Sequence, residues 1–154
     1  MEIIKIKNFH LKVSLILYIA CLVFPAYYVG KDYEPYSPIL ILSSGWLGIF
    51  VGHYNWYANA FFLLALCTLN KTKLSCFFSF ISILLALEFL RHKNIVVDVT
   101  HYTKYEPVSA YGIGYALWLS SIGFIFLGQL AKIYYKSDIS SALISISWVI
   151  VVTT

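Results

Sequence analysis

"ILILSSGWLGIFVGHYNWYANAFFLLALCTL", residues 39–69, is almost entirely apolar except around His53, Asn55 and Asn59. As one α-helix, these residues would extend about 46 Å, whereas the hydrocarbon core of a bilayer is about 30 Å thick. The stretch therefore has to tilt, kink or extend beyond the membrane if it forms a single helix.

The composition predicts an integral membrane protein. Of the 154 residues, 60% are hydrophobic and only 12% are charged, which lies well outside the usual balance of a soluble domain. We expect an all-α fold, a single membrane domain over 1–154 in which four transmembrane helices form a bundle. The apolar runs place these helices at about 11–29, 39–69, 74–91 and 112–135.

Two further segments are less regular. The outer loop, about 92–111, contains "NIVVDVTHYT", whose β-branched and aromatic residues predict an extended piece or short hairpin at the interface. The apolar tail, 139–152, is too short for an ordinary span, and its pattern fits a strand, an interfacial helix or a short fifth span.

Small residues mark two places where backbones are expected to approach closely. Ser44, Gly48 and Gly52 recur every four residues and would form a smooth helix face. Gly112 and Gly114 lie at the start of the fourth predicted helix, where they are expected to let the chain turn into the membrane and pack closely.

The distribution of Lys and Arg predicts the orientation. One side of the predicted bundle holds seven of these residues and the other holds four, and the richer side is expected to be cytoplasmic. Both termini would then face the cytoplasm, and the loop "GKDYEPYSP" and the 92–111 segment would face outward.

This topology brings scattered polar residues to the outer side. The candidate binding residues are His53, Asn55, Trp56, Asn59, Glu88, Arg91, Asp98 and His101. One interpretation is an aromatic belt whose polar members bond to neighbouring helices or water. The other is a polar pocket for a ligand, a lipid headgroup or a peptide.

Glu88 carries the same ambiguity by itself, because ionisable groups at membrane depth are costly. Arg91 and His92 follow it by three and four positions, so a structural ion pair across one helical turn is one explanation. A functional carboxylate is the other.

Other chemistry finds little support in the sequence. His92, Asp98, His101 and Glu106 match no metal-site spacing, and no activated nucleophile or phosphate-binding loop is visible. The cysteines, Cys21, Cys67 and Cys76, are expected to be free thiols. We therefore expect no metal, no cofactor and no nucleic-acid partner.

Three motifs, in order, resemble a family of small bacterial inner-membrane proteins with four predicted helices. They are "GWLGIFVGHYNWYANA", "IVVDVTHYTKYEPVSAYG" and "GIGYALWLSS", and the resemblance covers about residues 11–130. The family tends to have proline where this chain has Ala60, which implies a longer and less sharply bent second helix here. The resemblance implies the bacterial inner membrane and an outer loop, and it implies no activity.

The function expected from these observations is a non-enzymatic binding, immunity or accessory subunit that recognises a protein or lipid at its outer side. The expected partners are membrane lipids, another membrane or secreted protein, or a second copy of the chain. The alternative is a membrane enzyme or carrier for a lipid-linked or small polar substrate.

Overall fold

The computed structural model describes the backbone of residues 9–98 and 104–153 and the side chains of 9–95 and 106–135. Within these residues the chain forms five α-helices, two 3₁₀ segments and one four-stranded antiparallel sheet. In chain order the elements are α1 (Phe9–Cys21), β1 (Tyr27–Val29), β2 (Glu34–Tyr36), α2 (Pro38–Ser44), a 3₁₀ segment (Gly45–Val51), α3 (Tyr57–Cys67), α4 (Thr72–Glu88), a 3₁₀ turn (Phe89–Arg91), β3 (Asn94–Asp98), β4 (Lys104–Tyr111) and α5 (Ile113–Thr153).

The expected single helix over 39–69 is wrong, because the chain breaks into α2, the 3₁₀ segment and α3. Gly52 ends the 3₁₀ segment with a φ of +78°, a conformation that suits glycine. The backbone N–H of His53 then donates to the carbonyl oxygen of Gly48 at 2.9 Å, which closes the turn. The absence of proline at position 60 was expected to give a longer helix, but the helix is broken before Ala60, at Gly52.

The repeat of small residues in this stretch serves the turn and not a helix face. A Cβ on Gly48 would lie 2.8 Å from the carbonyl oxygen of His53, so glycine lets the chain double back. The Ser44 hydroxyl donates to the carbonyl of Leu40 at 2.7 Å, within its own helix.

The sheet contradicts the all-α expectation. Its strand order is β2-β1-β4-β3, and every pairing is antiparallel. The helix expected over 11–29 ends at Cys21, and the residues after Pro25, which has no N–H to donate, enter β1 instead. The strands β3 and β4 form the hairpin that the outer loop allowed, but β4 also pairs with β1 and so joins the two halves of the chain.

Four of the helices pack against one another, since α5 packs on α1 and α4, and α4 packs on α3. Small buried residues hold these contacts. The Ser14 hydroxyl donates to the Ser121 carbonyl at 2.7 Å, and the Ser82 hydroxyl donates to the Ala58 carbonyl at 2.7 Å. The core between the helices consists of Ala58, Phe62, Ala65, Ala86, Ile122 and Ile125.

Two of the four helices reach the length of a membrane span within the described residues. The segments Thr72–Arg91 and Ile113–Tyr135, of 20 and 23 residues, are long and apolar enough by length and composition. In contrast, α1 and α3 have 13 and 11 residues. Since α5 runs to Thr153 without interruption, the backbone of the 139–152 tail is helical and continues the fourth helix.

Candidate binding site beneath the sheet

A cavity of about 410 Å³ lies between the sheet and the folded segment that runs from α2 to the start of α3. This size falls within the range of about 300–1,000 Å³ that is typical of small-molecule sites. We call it the sheet cavity. Its lining residues are Tyr27, Tyr36, Leu40, Ile41, Ser44, Gly45, Leu47, Gly48, Phe50, Val51, His53, Asn55, Trp56, Phe89 and Ile95.

One wall of the sheet cavity comes from the sheet and the end of α4. The rings of Tyr27 and Tyr36 stack at 5.1 Å across the β1–β2 pair, and the ring of Phe89 lies 5.1 Å from that of Tyr27. Burial raises the pKa of both tyrosines above its usual value, so their hydroxyls are neutral donors at physiological pH. This wall is therefore aromatic and uncharged.

The opposite wall is the segment Pro38–Val51, in which no residue is buried. The Trp56 indole N–H donates to the Leu42 carbonyl at 3.1 Å and fixes α2 to the start of α3. Gly45 is needed at this contact because a Cβ there would overlap the Trp56 ring. The outward side chains of this wall are large and apolar, and Phe50 is 79% exposed.

His53 and Asn55 supply the polar end of the cavity. The ring of His53 meets the ring of His92 edge to face, with 4.3 Å between centroids. The His92 Nε2–H in turn donates to Glu88 Oε1 at 2.7 Å. The other oxygen, Glu88 Oε2, is buried and has no hydrogen-bond partner among the described residues.

The charge state of His53 follows from these neighbours. Burial lowers its pKa below the usual value, positive charge on His92 lowers it further, and the Glu88 carboxylate opposes both effects. His53 is therefore mainly a neutral imidazole at pH 7, with one donor and one acceptor nitrogen. The Glu88 carboxylate holds His92 in place beside it.

Asn59 has a different role from His53 and Asn55. It is 7% exposed, and its Oδ1 accepts hydrogen bonds from the Tyr18 hydroxyl at 3.1 Å and the Trp118 indole N–H at 2.8 Å. It thereby connects α1, α3 and α5 within the bundle. Asn59 lies against a smaller cavity of about 70 Å³ and does not line the sheet cavity.

The remaining predicted site residues separate from this group. Of the two partners considered for Glu88, His92 makes the hydrogen bond across one helical turn, whereas Arg91 is exposed and forms no ion pair among the described side chains. Asp98 is described by its backbone alone, at the end of β3, and His101 lies outside the described residues.

The glycines before α5 lie where the helix leaves the sheet. A Cβ on Gly112 would overlap the Pro25 carbonyl oxygen, and a Cβ on Gly114 would overlap that of Phe24. The N–H groups of Gly112 and Gly114 donate to the Ala26 and Pro25 carbonyls at 2.8 and 3.0 Å. These glycines hold the sheet against the bundle.

The aromatic wall was missed by the sequence interpretation. The aromatic belt and the polar pocket considered above do not predict a stacked Tyr27–Tyr36 pair, although "YYVGKDYEPY" has aromatic residues on both sides of a glycine-containing turn, which is typical of a hairpin. That signal could have predicted β1 and β2. The contribution of Phe89 and Ile95 depends on tertiary contacts that no local pattern reveals.

No group of three metal-ligating side chains occurs within the described part of the chain, and its three cysteines are free. Comparison with protein-family models, with curated proteins and with solved structures gave no match, so the function has to be inferred from the chain's own residues.

Proposed function

We propose that this chain is an integral protein of the bacterial inner membrane that binds an amphipathic molecule, without chemical conversion, in the sheet cavity. Binding at this end is the kind of recognition that an accessory or immunity subunit performs. The observation that carries the proposal is a cavity of ligand size that is lined by aromatic side chains of the sheet, by large apolar side chains of Pro38–Val51 and by the polar side chains of His53 and Asn55.

Membrane insertion is supported by where α4 places its side chains. Its buried residues are small and include Ser75, Ser79 and Ser82, and these serine hydroxyls donate to backbone carbonyls. Its exposed residues include Phe77 and Leu84. A soluble helix shows the opposite arrangement, whereas small residues inside and large apolar residues outside are typical of helices packed in lipid.

The segment Pro38–Val51 supports entry of the ligand from the bilayer. Leu40, Leu47 and Phe50 line the sheet cavity and are also exposed, so the rim of the cavity is apolar. In water such a rim would be unfavourable, but at the edge of the hydrocarbon it gives an alkyl chain a continuous apolar path. The smaller number of Lys and Arg residues at this end supports the proposal that it lies outside the cytoplasm.

The test is native mass spectrometry of the protein released gently from its own membranes. We expect the wild type to retain a molecule of lipid-like mass, and Ile41→Trp, which fills the sheet cavity, to lose it. Leu63→Trp is the matched control, because Leu63 is exposed on α3 and does not line the cavity. Retention of a stoichiometric protein in place of a lipid, or equal retention in Ile41→Trp and the wild type, would contradict the proposal.

A second candidate function is an enzyme or carrier that acts on a lipid-linked or small polar substrate. One observation favours it: Glu88 orients His92, which lies beside His53 at the cavity, an arrangement that could move a proton to or from a bound molecule. The test is Glu88→Gln in cells. If the variant loses the cellular function of the wild-type protein at unchanged protein abundance, the result would favour an enzyme or carrier. An equal fall in abundance would show that the pair is structural.

A further inference from the structure

The described lining of the sheet cavity can provide positive charge but no negative charge. Among the side chains that the structure describes, no aspartate, glutamate, lysine or arginine lines the cavity, and His53 is the lining residue that can become positive. A cationic group inside the cavity would find no carboxylate on the lining to balance its charge. An anionic group would find the imidazole, which donates one hydrogen bond when neutral and two when protonated.

Two described carboxylates, those of Glu88 and Glu106, lie just beyond the lining. On the α4 side, His92 lies directly against His53, and Glu88, the acid of that group, has one of its oxygens bonded to His92. Glu106 lies on the sheet side, where its carboxylate acts on Tyr36 and lies against Gly30. Both carboxylates therefore lie outside the described lining, where the group that can become positive is the His53 imidazole, and the Glu88 carboxylate favours its protonated form.

We infer that the sheet cavity binds a molecule with one alkyl chain and an anionic headgroup, a carboxylate or a phosphate, and that His53 donates to the headgroup. The alkyl chain lies between the Tyr27 wall and the Leu40–Phe50 wall. A volume of about 410 Å³ is near the lower end of the range for small-molecule sites, which suits one chain and not a two-chain phospholipid. This inference rests on the proposed function, because it names the ligand class of the same cavity.

The experiment uses the full-length protein, delipidated in a steroid-based detergent that has no alkyl chain to occupy the cavity. Four probes share a twelve-carbon chain and differ in the headgroup: dodecanoate, dodecyl phosphate, dodecanol and dodecyltrimethylammonium. Affinities are measured by calorimetric titration at pH 7. We expect the two anions to bind at least about tenfold more tightly than the ammonium. The affinity of dodecanol should lie between that of the anions and that of the ammonium.

Two variants locate the preference. His53 is neutral in the empty cavity and gains a proton when an anion binds beside it, whereas the glutamine of His53→Gln cannot become positive, so we expect the ratio of anion affinity to ammonium affinity to fall below about threefold. His10→Gln is the matched control, because His10 lies in α1 beside Gly128, away from the sheet cavity, and should bind like the wild type. If the His53 variant does not fold, an NMR titration of His53 in the wild type is decisive, because bound dodecanoate should raise the pKa of His53.

The outcomes separate this inference from the proposed function. Equal affinity for all four probes, or preference for the ammonium, overturns the anionic headgroup and leaves amphiphile binding intact. If no probe binds, the proposed function fails as well. Inorganic phosphate is the last probe. If it does not compete with dodecyl phosphate, the result supports the requirement for an alkyl chain. If it fully displaces dodecyl phosphate at equal concentration, the site is a simple anion site and the requirement is overturned.

Discussion

Replacement of Asn59 by leucine tests whether the polar residues at the head of α3 hold the bundle together. Asn59 Oδ1 is the shared acceptor for the Tyr18 hydroxyl and the Trp118 indole N–H, from two other helices. Leucine has a similar size but no acceptor, so Asn59→Leu leaves both donors unpaired. The Trp56 carbonyl, which accepts from the Asn59 side chain at 3.2 Å, keeps its bond from the Asn59 backbone N–H at 2.9 Å.

The expected loss of stability follows from these two bonds. Hydrogen bonds between membrane helices contribute about 0.6 kcal/mol on average and up to about 1.7 kcal/mol each. Loss of both should therefore lower the free energy of unfolding by about 1–3 kcal/mol. Because Tyr18 has then already lost its partner, adding Tyr18→Phe should cost almost nothing further, as a double-mutant cycle would show.

The assay is reversible unfolding in micelles by steric trapping, which measures the free energy directly. Gln129→Leu is a matched control, because Gln129 is also a fully buried amide, but neither of its polar side-chain atoms has a hydrogen-bond partner among the described residues. We expect this second change to be neutral or to stabilise by about 1 kcal/mol. Equal destabilisation by the two substitutions would refute the assignment of a connecting role to Asn59.

Three further predictions address the sheet, the orientation and the pH response. Gly112→Ala should destabilise by about 3 kcal/mol through overlap with the chain before β1, whereas Gly123→Ala, with open space around it, should be neutral or stabilising; thermal unfolding of both variants checks this. In a cysteine-free background, Lys31→Cys should react with a membrane-impermeant maleimide in intact spheroplasts and Asn70→Cys only after lysis; the reverse result would invert the orientation. Burial and a neighbouring histidine lower the folded-state pKa of His53, so its contribution to stability should be complete above about pH 6.5 and decline as the pH falls towards the folded-state pKa. The free energy of unfolding at pH 7.5 and at pH 5 measures this decline. The part of the decline that His53 causes should be absent from His53→Gln.

The apolar runs predicted a mostly helical chain because hydrophobicity is a local property of the chain. A helix lies close to the predicted position at α4, whose run contains no glycine or proline, and at the start of α5, whose glycines lie within a continuous helix. The prediction failed where single residues redirect the backbone, at Pro25 and at Gly52. A hydropathy pattern does not distinguish an apolar strand such as Tyr27–Val29 from the end of an apolar helix.

The candidate site was predicted in part for the same reason. His53, Asn55 and Trp56 were placed at one end of the bundle by their position in the chain, and the structure puts them on the sheet cavity. Asn59 was grouped with them, but it follows after one further helical turn and points into the bundle. Sequence spacing predicted how far along the bundle these residues lie. It did not predict the direction of each side chain, which depends on the break before α3.

That break also accounts for the cavity. The apolar stretch over 39–69 is longer than one bilayer crossing requires, and it contains a glycine where the chain can reverse. Folding the excess into α2 and the 3₁₀ segment leaves α3 with only 11 residues, and the folded segment lines the sheet cavity with residues such as Leu40, Leu47 and Phe50. The same turn carries His53 to the polar end of that cavity. A Gly52→Val variant, which disfavours the left-handed conformation of the turn, should therefore lose ligand binding together with the reversal, whereas Gly123→Val in α5 should leave both unchanged.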